Sequence, residues 1–164
     1  MSIFNIPPMK IVFYLLAIAA VVLLLWSGCS RNNPTPPSTA VYSVNGGTTS
    51  HNNGQVCLTC HRTGGTGKYN FIIAGSVFKQ DLSTPSPNGI LYFWSGSGGT
   101  GDLIATLQVD ANGNFFTTSS LLPGEGAYLQ MRGISGAVKT MPILAYTGDC
   151  NSCHGVNEDP IWIN

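Results

Sequence analysis

The chain has 164 residues and a mass of 17.3 kDa, room for one modest domain plus segments for export and tethering. Charged residues are only 9% of it, against about 25% in an ordinary soluble domain, and seven basic side chains balance seven acidic ones. That balance leaves no basic footprint for nucleic acid, no acidic solvating tail, and little long-range field to steer a partner.

Residues Ile11 to Trp26 are apolar without a break, preceded by Lys10 and followed by Ser27-Gly28-Cys29. This is the charged, hydrophobic and small-residue order of a secretory signal. The run is a little short for a comfortable membrane span of about 20 residues. Leu25-Trp26-Ser27-Gly28-Cys29 resembles the lipobox of bacterial lipoproteins, with Trp26 departing from the usual leucine-like residue. The resemblance implies cleavage before Cys29 and lipidation of that residue, hence membrane attachment through an N-terminal lipid. An uncleaved anchor helix with an incidental Cys29 is the alternative. Both put the remainder of the chain outside the cytoplasmic membrane, on the periplasmic or cell-surface side.

From Arg31 to Asn53 the chain carries Pro34, Pro36 and Pro37 among many Ser, Thr, Asn and Gly residues, and reads as a semi-extended tether. Then comes Cys57-Leu58-Thr59-Cys60-His61, and near the end Cys150-Asn151-Ser152-Cys153-His154. Both fit C-x-x-C-H, which resembles the haem-attachment signature of c-type cytochromes. Two thiols at this spacing reach the two vinyl groups of one porphyrin, and the histidine that follows lies beneath its iron. This composition yields about 0.003 such motifs by chance, so two are not accidental. A four-thiolate zinc site, a redox dithiol and a disulfide framework are the competing uses of four cysteines. None of them explains a histidine after both pairs. The resemblance implies two covalently bound haem c groups, with Cys57, Cys60, Cys150 and Cys153 as thioether links. His61 and His154 are then the proximal iron ligands, and with Cys29 lipidated no cysteine is left over.

One histidine, His51, remains for a sixth position, so at most one haem has two histidines from this chain. His51 sits in what reads as a flexible loop, and either haem is within its reach. Met141, nine residues before Cys150, is the other candidate distal ligand, its plain alternative being a core methionine at a strand end. Met131 alternates with Ala127 and Leu129 and reads as core.

Between the motifs, Tyr69 to Tyr146 is strand-rich. The segment from Phe71 to Phe78 is apolar on both faces and is expected as a buried strand. Ile90 to Trp94 follows the break at Pro85 to Gly89, and Leu103, Ala105, Leu107 and Val109 keep period-two spacing. Asn112-Gly113 predicts a hairpin turn into Phe115-Phe116. Ala127 to Arg132 and Ala137 to Tyr146 complete about six strands. Gly-rich turns and the lack of a long 3.6-residue period predict a mainly β fold, a small β-sandwich flanked by two loop-borne sites. Gly75-Ser76-Val77, Asp110 to Phe115, Leu122-Pro123-Gly124 and Tyr128 resemble the prealbumin-like sandwiches of carboxypeptidase regulatory-type domains, which are usually non-catalytic.

The expected organisation is a signal peptide over 1–28, a lipid-anchored tether over 29–53, a first haem segment over 54–68, the sandwich over 69–147 and a second haem segment over 148–164. Six alternating strands would bring the chain out at the end where it entered, with both motifs together; seven would separate them. The expected function is electron transfer among redox proteins of the cell envelope, with self-association open. A di-haem peroxidase-like enzyme and a metal-binding or sensory lipoprotein are the alternatives. No acid–base set is evident for catalysis, since Glu125, Glu158 and Asp159 read as solvated turn residues.

Overall fold

The computed structural model describes residues 39–122 and 124–164. The signal segment, the lipobox with Cys29, the first part of the tether and Pro123 lie outside the described residues. Among the described residues seven strands form two sheets. They are β1 (Ile73–Ser76), β2 (Ile90–Gly96), β3 (Thr100–Gln108), β4 (Asn114–Thr117), β5 (Ala127–Arg132), β6 (Val138–Ala145) and β7 (Gly148–Asp149). One sheet has the order β4-β1-β7 and the other β3-β2-β5-β6. Alternating apolar residues drive this division. Leu91 and Phe93 of β2, Ala105 and Leu107 of β3, and Leu129 and Met131 of β5 turn one face of the larger sheet inward. They meet Ile73 of β1 and Phe115 of β4 in one core, with Ile163 from the C-terminal segment closing it. Phe93 and Phe115 are fully buried, each gaining about 1.5–3 kcal/mol over an exposed ring. The mainly β sandwich expected from the sequence is the fold observed.

β1 is buried along its whole length, as its two apolar faces predict, because it is the middle strand of the smaller sheet. The Asn112-Gly113 turn forms with Gly113 at a φ of 79°. Asp110 organises it by accepting the backbone N–H groups of Asn112 and Asn114 on Oδ1, at 2.9 and 3.0 Å. It is not the expected hairpin. It carries the chain from β3 in one sheet to β4 in the other, because β4 pairs with β1.

Residues 40–53 are not a free tether. Ser43 is buried, donates its backbone N–H to the Phe116 carbonyl at 2.9 Å, and accepts the Phe116 N–H on its hydroxyl at 3.0 Å. The segment therefore lies against β4, covering an edge that would otherwise expose unpaired backbone. At the other end β7 pairs in parallel with β1, Ile73 facing Gly148 and Ala74 facing Asp149. A Cβ on Gly148 would come within 2.1 Å of the Ile72 carbonyl oxygen, so glycine permits this approach.

Counting strands gave the wrong rule for where the motifs sit. The described residues form seven strands, yet the two motifs lie beside each other. The chain returns to the smaller sheet as a strand parallel to β1, so Cys150 emerges alongside Gly75, a relation that up-and-down alternation does not contain.

Candidate functional site

The two C-x-x-C-H segments, more than ninety residues apart, fold the same way. Cys57–Thr59 and Cys150–Ser152 are single 3₁₀ turns. In each, the first cysteine's carbonyl accepts the backbone N–H of the second cysteine, at 3.2 and 3.3 Å, and of the histidine, at 3.0 Å in both. The first sulfur lies 3.4 Å (Cys57) or 3.5 Å (Cys150) from the carbonyl two residues before it. One cysteine of each pair is half-buried and the other, Cys60 or Cys153, exposed. None of the four is paired with another in a disulfide.

Each histidine is then anchored by a returning loop. After the first motif, Gly67 donates its N–H to the Cys60 carbonyl at 2.9 Å, which brings the Tyr69 carbonyl to 3.0 Å from His61 Nδ1. After the second, Glu158 donates to the Cys153 carbonyl at 3.0 Å, and the Asp159 carbonyl lies 2.9 Å from His154 Nδ1. A carbonyl only accepts, so each Nδ1 carries the proton and each Nε2 is left as the free basic nitrogen. Metal-bound histidines are oriented by the same outer hydrogen bond. Phe71 stacks on His61 with centroids 4.2 Å apart and an interplanar angle of 11°. Gly67 lies over the same ring, where a Cβ would stand 2.6 Å from Nδ1.

Each motif opens onto its own cavity. Cys57, Cys60 and His61 line one of about 510 Å³, together with His51, Phe71 and Phe116. Cys150, Cys153 and His154 line another of about 450 Å³, together with Met141, Leu129 and Trp162. Both volumes fall in the range of about 300–1,000 Å³ that suits a small molecule or cofactor. Phe115 lines both cavities and so forms a wall common to them. Each also has one lysine at its lining, Lys68 in the first and Lys139 in the second, a cation for an anionic group on an otherwise apolar ligand. The two distal candidates are thereby separated, His51 with the first motif and Met141 with the second. Met131 also lines the second cavity, but it is buried, and a Cβ on Gly89 would sit 3.4 Å from its sulfur, so the thioether lies in the core.

Burial pushes the Cys150 thiol up to about 12, with Asp149 and Cys57 acting in the same direction. Burial raises Cys57 as well, again helped by Asp149. Both inner sulfurs are therefore neutral thiols at neutral pH rather than thiolates. Asp149 is itself raised by desolvation, and its buried Oδ1 has no hydrogen-bond partner. Among the described residues no group of three or more His, Cys, Asp or Glu side chains is placed to hold a metal ion.

A buried polar chain joins the two sites. Asn151, inside the second motif, accepts the Ser76 N–H on Oδ1 at 3.0 Å and donates from Nδ2 to the Gln55 carbonyl at 2.9 Å. The Ser76 hydroxyl accepts the Gly54 N–H at 2.9 Å and donates to Asn114 Oδ1 at 2.6 Å. Asn114 Nδ2 donates onward to the Ser50 hydroxyl at 2.9 Å and the His51 carbonyl at 3.4 Å. His51 is thus carried on a segment pinned to β1 and β4, where sequence reasoning placed a flexible loop. That reasoning also missed the roles of Tyr69, Asp159, Phe115 and Asn151. The glycines after each motif, Gly64-Gly65-Thr66-Gly67 and Gly155, were the one available signal that the chain turns back there.

No protein-family model, curated protein or solved structure matches this chain.

Proposed function

We propose that this chain is an electron carrier holding two covalently attached haem c groups, one in each cavity. The observation that carries the reading is the repetition. Twice, a 3₁₀ turn presents two thiols and an imidazole, anchored through Nδ1 to a carbonyl, at the lining of a largely apolar cavity. Disulfide or dithiol chemistry gives no reason to orient a histidine twice over; haem attachment requires it.

In this reading Cys57 and Cys60 form the thioether links of the first haem and Cys150 and Cys153 those of the second. His61 and His154 supply Nε2 to the two irons. Bound haem supplies a one-electron couple at its iron, and the protein's part is to position it, exclude water and set its potential. Leu129, Phe115 and Trp162 give the second cavity an apolar lining, and Phe71 and Phe116 do the same for the first. Lys68 and Lys139, at the cavity linings, would offer positive charge to an anionic group of a bound haem. The apolar segment ahead of Cys29 supports export and lipid attachment in the cell envelope, with other redox proteins there as partners.

The test is an anaerobic reductive titration of the purified full chain. The reading requires two electrons taken up per chain and returned reversibly to an oxidised acceptor. Uptake of none would refute it. Rapid turnover of peroxide would move the assignment to the peroxidase-like alternative.

A further inference from the structure

Resting on that reading, we infer that the two haem sites are chemically unequal, with His51 completing the first iron's ligand set and Met141 completing the second's.

The first half rests on ring geometry. His51 and His61 line the same cavity, with ring centroids 5.9 Å apart and planes tilted by 39°. A metal–imidazole bond is typically about 2.0–2.1 Å, which puts the centroids of two rings sharing one metal roughly 6 Å apart. The segment bearing His51 is held at this distance. Asn114 Nδ2 donates to its carbonyl, and Asn112 Nδ2 donates to the Ser50 carbonyl at 2.8 Å. The side chain of His51 is exposed, so ligation removes no buried contact.

The second half rests on an irregularity of β6. Tyr128 pairs with Leu144 and Gln130 with Thr140, so Met141, Pro142 and Ile143 stand opposite Leu129 alone. Such a bulge re-aims side chains, and it occurs preferentially beside active sites. Pro142 is tolerated because β6 is an edge strand. Lys139 and Met141 are half-buried before Pro142 and Ala145 is buried after it, so the inward face keeps its parity across a bulge that adds two residues. Met141 is left half-buried and lining the cavity that holds His154. No histidine other than His154 lines that cavity, and the Met131 sulfur is committed to the core.

The consequence is an ordered pair of potentials. Methionine in place of a second histidine raises a haem potential. The environments act in the same sense, since Ser50, Asn52, Gln55 and Asn114 line the first cavity while the second is walled by Leu91, Leu129, Ile161 and Trp162. The first site is the lower-potential one and the second the higher.

The experiment is carbon monoxide stoichiometry and visible spectroscopy on the full chain matured in a haem-attaching host. The wild type should bind no carbon monoxide and show the weak red band of iron–methionine ligation. Potentiometry should resolve two waves. Met141→Ala should abolish the band and bind one carbon monoxide per chain. His51→Ala should keep the band and also bind one. Met141→His should lose the band yet bind none, which separates ligation from any folding defect of the alanine variant. A band that survives Met141→Ala, or a wild type that binds carbon monoxide, would overturn the assignment while leaving two haems in place. A chain whose mass carries no haem would instead overturn the reading on which it rests.

Discussion

Replacing Asn151 should weaken the whole molecule, although it lies in a variable position of its motif. Asn151 is 2% exposed and makes three side-chain hydrogen bonds, to the Ser76 N–H, the Ser76 hydroxyl and the Gln55 carbonyl. In Asn151→Ala the buried Ser76 N–H loses its acceptor, which costs about 1–3 kcal/mol. The lost bond to Gln55 adds about 0.5–1.5 kcal/mol, less than a fully buried partner because that residue is exposed to water. The sum is about 1.5–4.5 kcal/mol, which lowers the melting temperature of a domain this size by on the order of 10 °C. Urea unfolding of the wild type, Asn151→Ala, Ser76→Ala and the double variant gives the coupling directly. Residues sharing a network couple by about 0.5–3 kcal/mol, so the double variant should be less destabilised than the sum of the singles. Strict additivity, or a loss below about 0.5 kcal/mol for Asn151→Ala, would refute the claim that this network ties the two sites together.

Three further outcomes follow from close contacts and charge. Gly75→Ala places a Cβ 2.4 Å from the Phe115 ring and 3.0 Å from the Cys150 Cβ, and overpacking of this kind costs about 1–3 kcal/mol, measurable as a reduced urea midpoint. Gly67→Ala should displace His61 from the Tyr69 carbonyl, and on the proposed two-haem reading intact mass with visible spectra should show the first haem lost or misligated and the second unchanged. Asp149 has a raised folded-state pKa, so the folded form holds its proton more tightly than the unfolded chain does, and this residue's contribution to stability falls as pH rises from about 4 toward neutrality. Asp149→Asn should therefore be more stable than wild type at pH 7 and converge with it at acid pH; urea midpoints at the two pH values check the sign.

Much of the sandwich was legible because its signals are local. Period-two spacing in Leu103, Ala105, Leu107 and Val109 gave β3, and the apolar run from Phe71 to Phe78 gave a strand buried on both faces. What escaped was non-local. Asn112-Gly113 marks a turn but not which strand follows into which sheet, and here the partner of β4 is β1. Gly148-Asp149 is too short to read as a strand, yet its parallel pairing with β1 decides that the motifs are neighbours. At the two motifs, the spacing of cysteine and histidine picked out six residues, and the structure gathers the cysteines of each motif on one 3₁₀ turn. Their partners, the Tyr69 and Asp159 carbonyls, are backbone atoms whose role no side-chain chemistry announces. Ser50 to Asn53 looked like tether because its residues are polar and small. They are held by Asn112 and Asn114, whose amides bond to backbone and hydroxyl groups that a composition argument cannot pair.

The central claim, two haems bound through two C-x-x-C-H turns, is tested most directly by intact mass and a reduced pyridine-haem spectrum of the full chain produced in a haem-attaching host. The account predicts a mass increase of two haems with the spectrum of thioether-linked porphyrin, falling to one haem when Cys57 and Cys60, or Cys150 and Cys153, are replaced by serine. A chain that matures with no added mass, its thiols free, oxidised or bound to zinc, would contradict it.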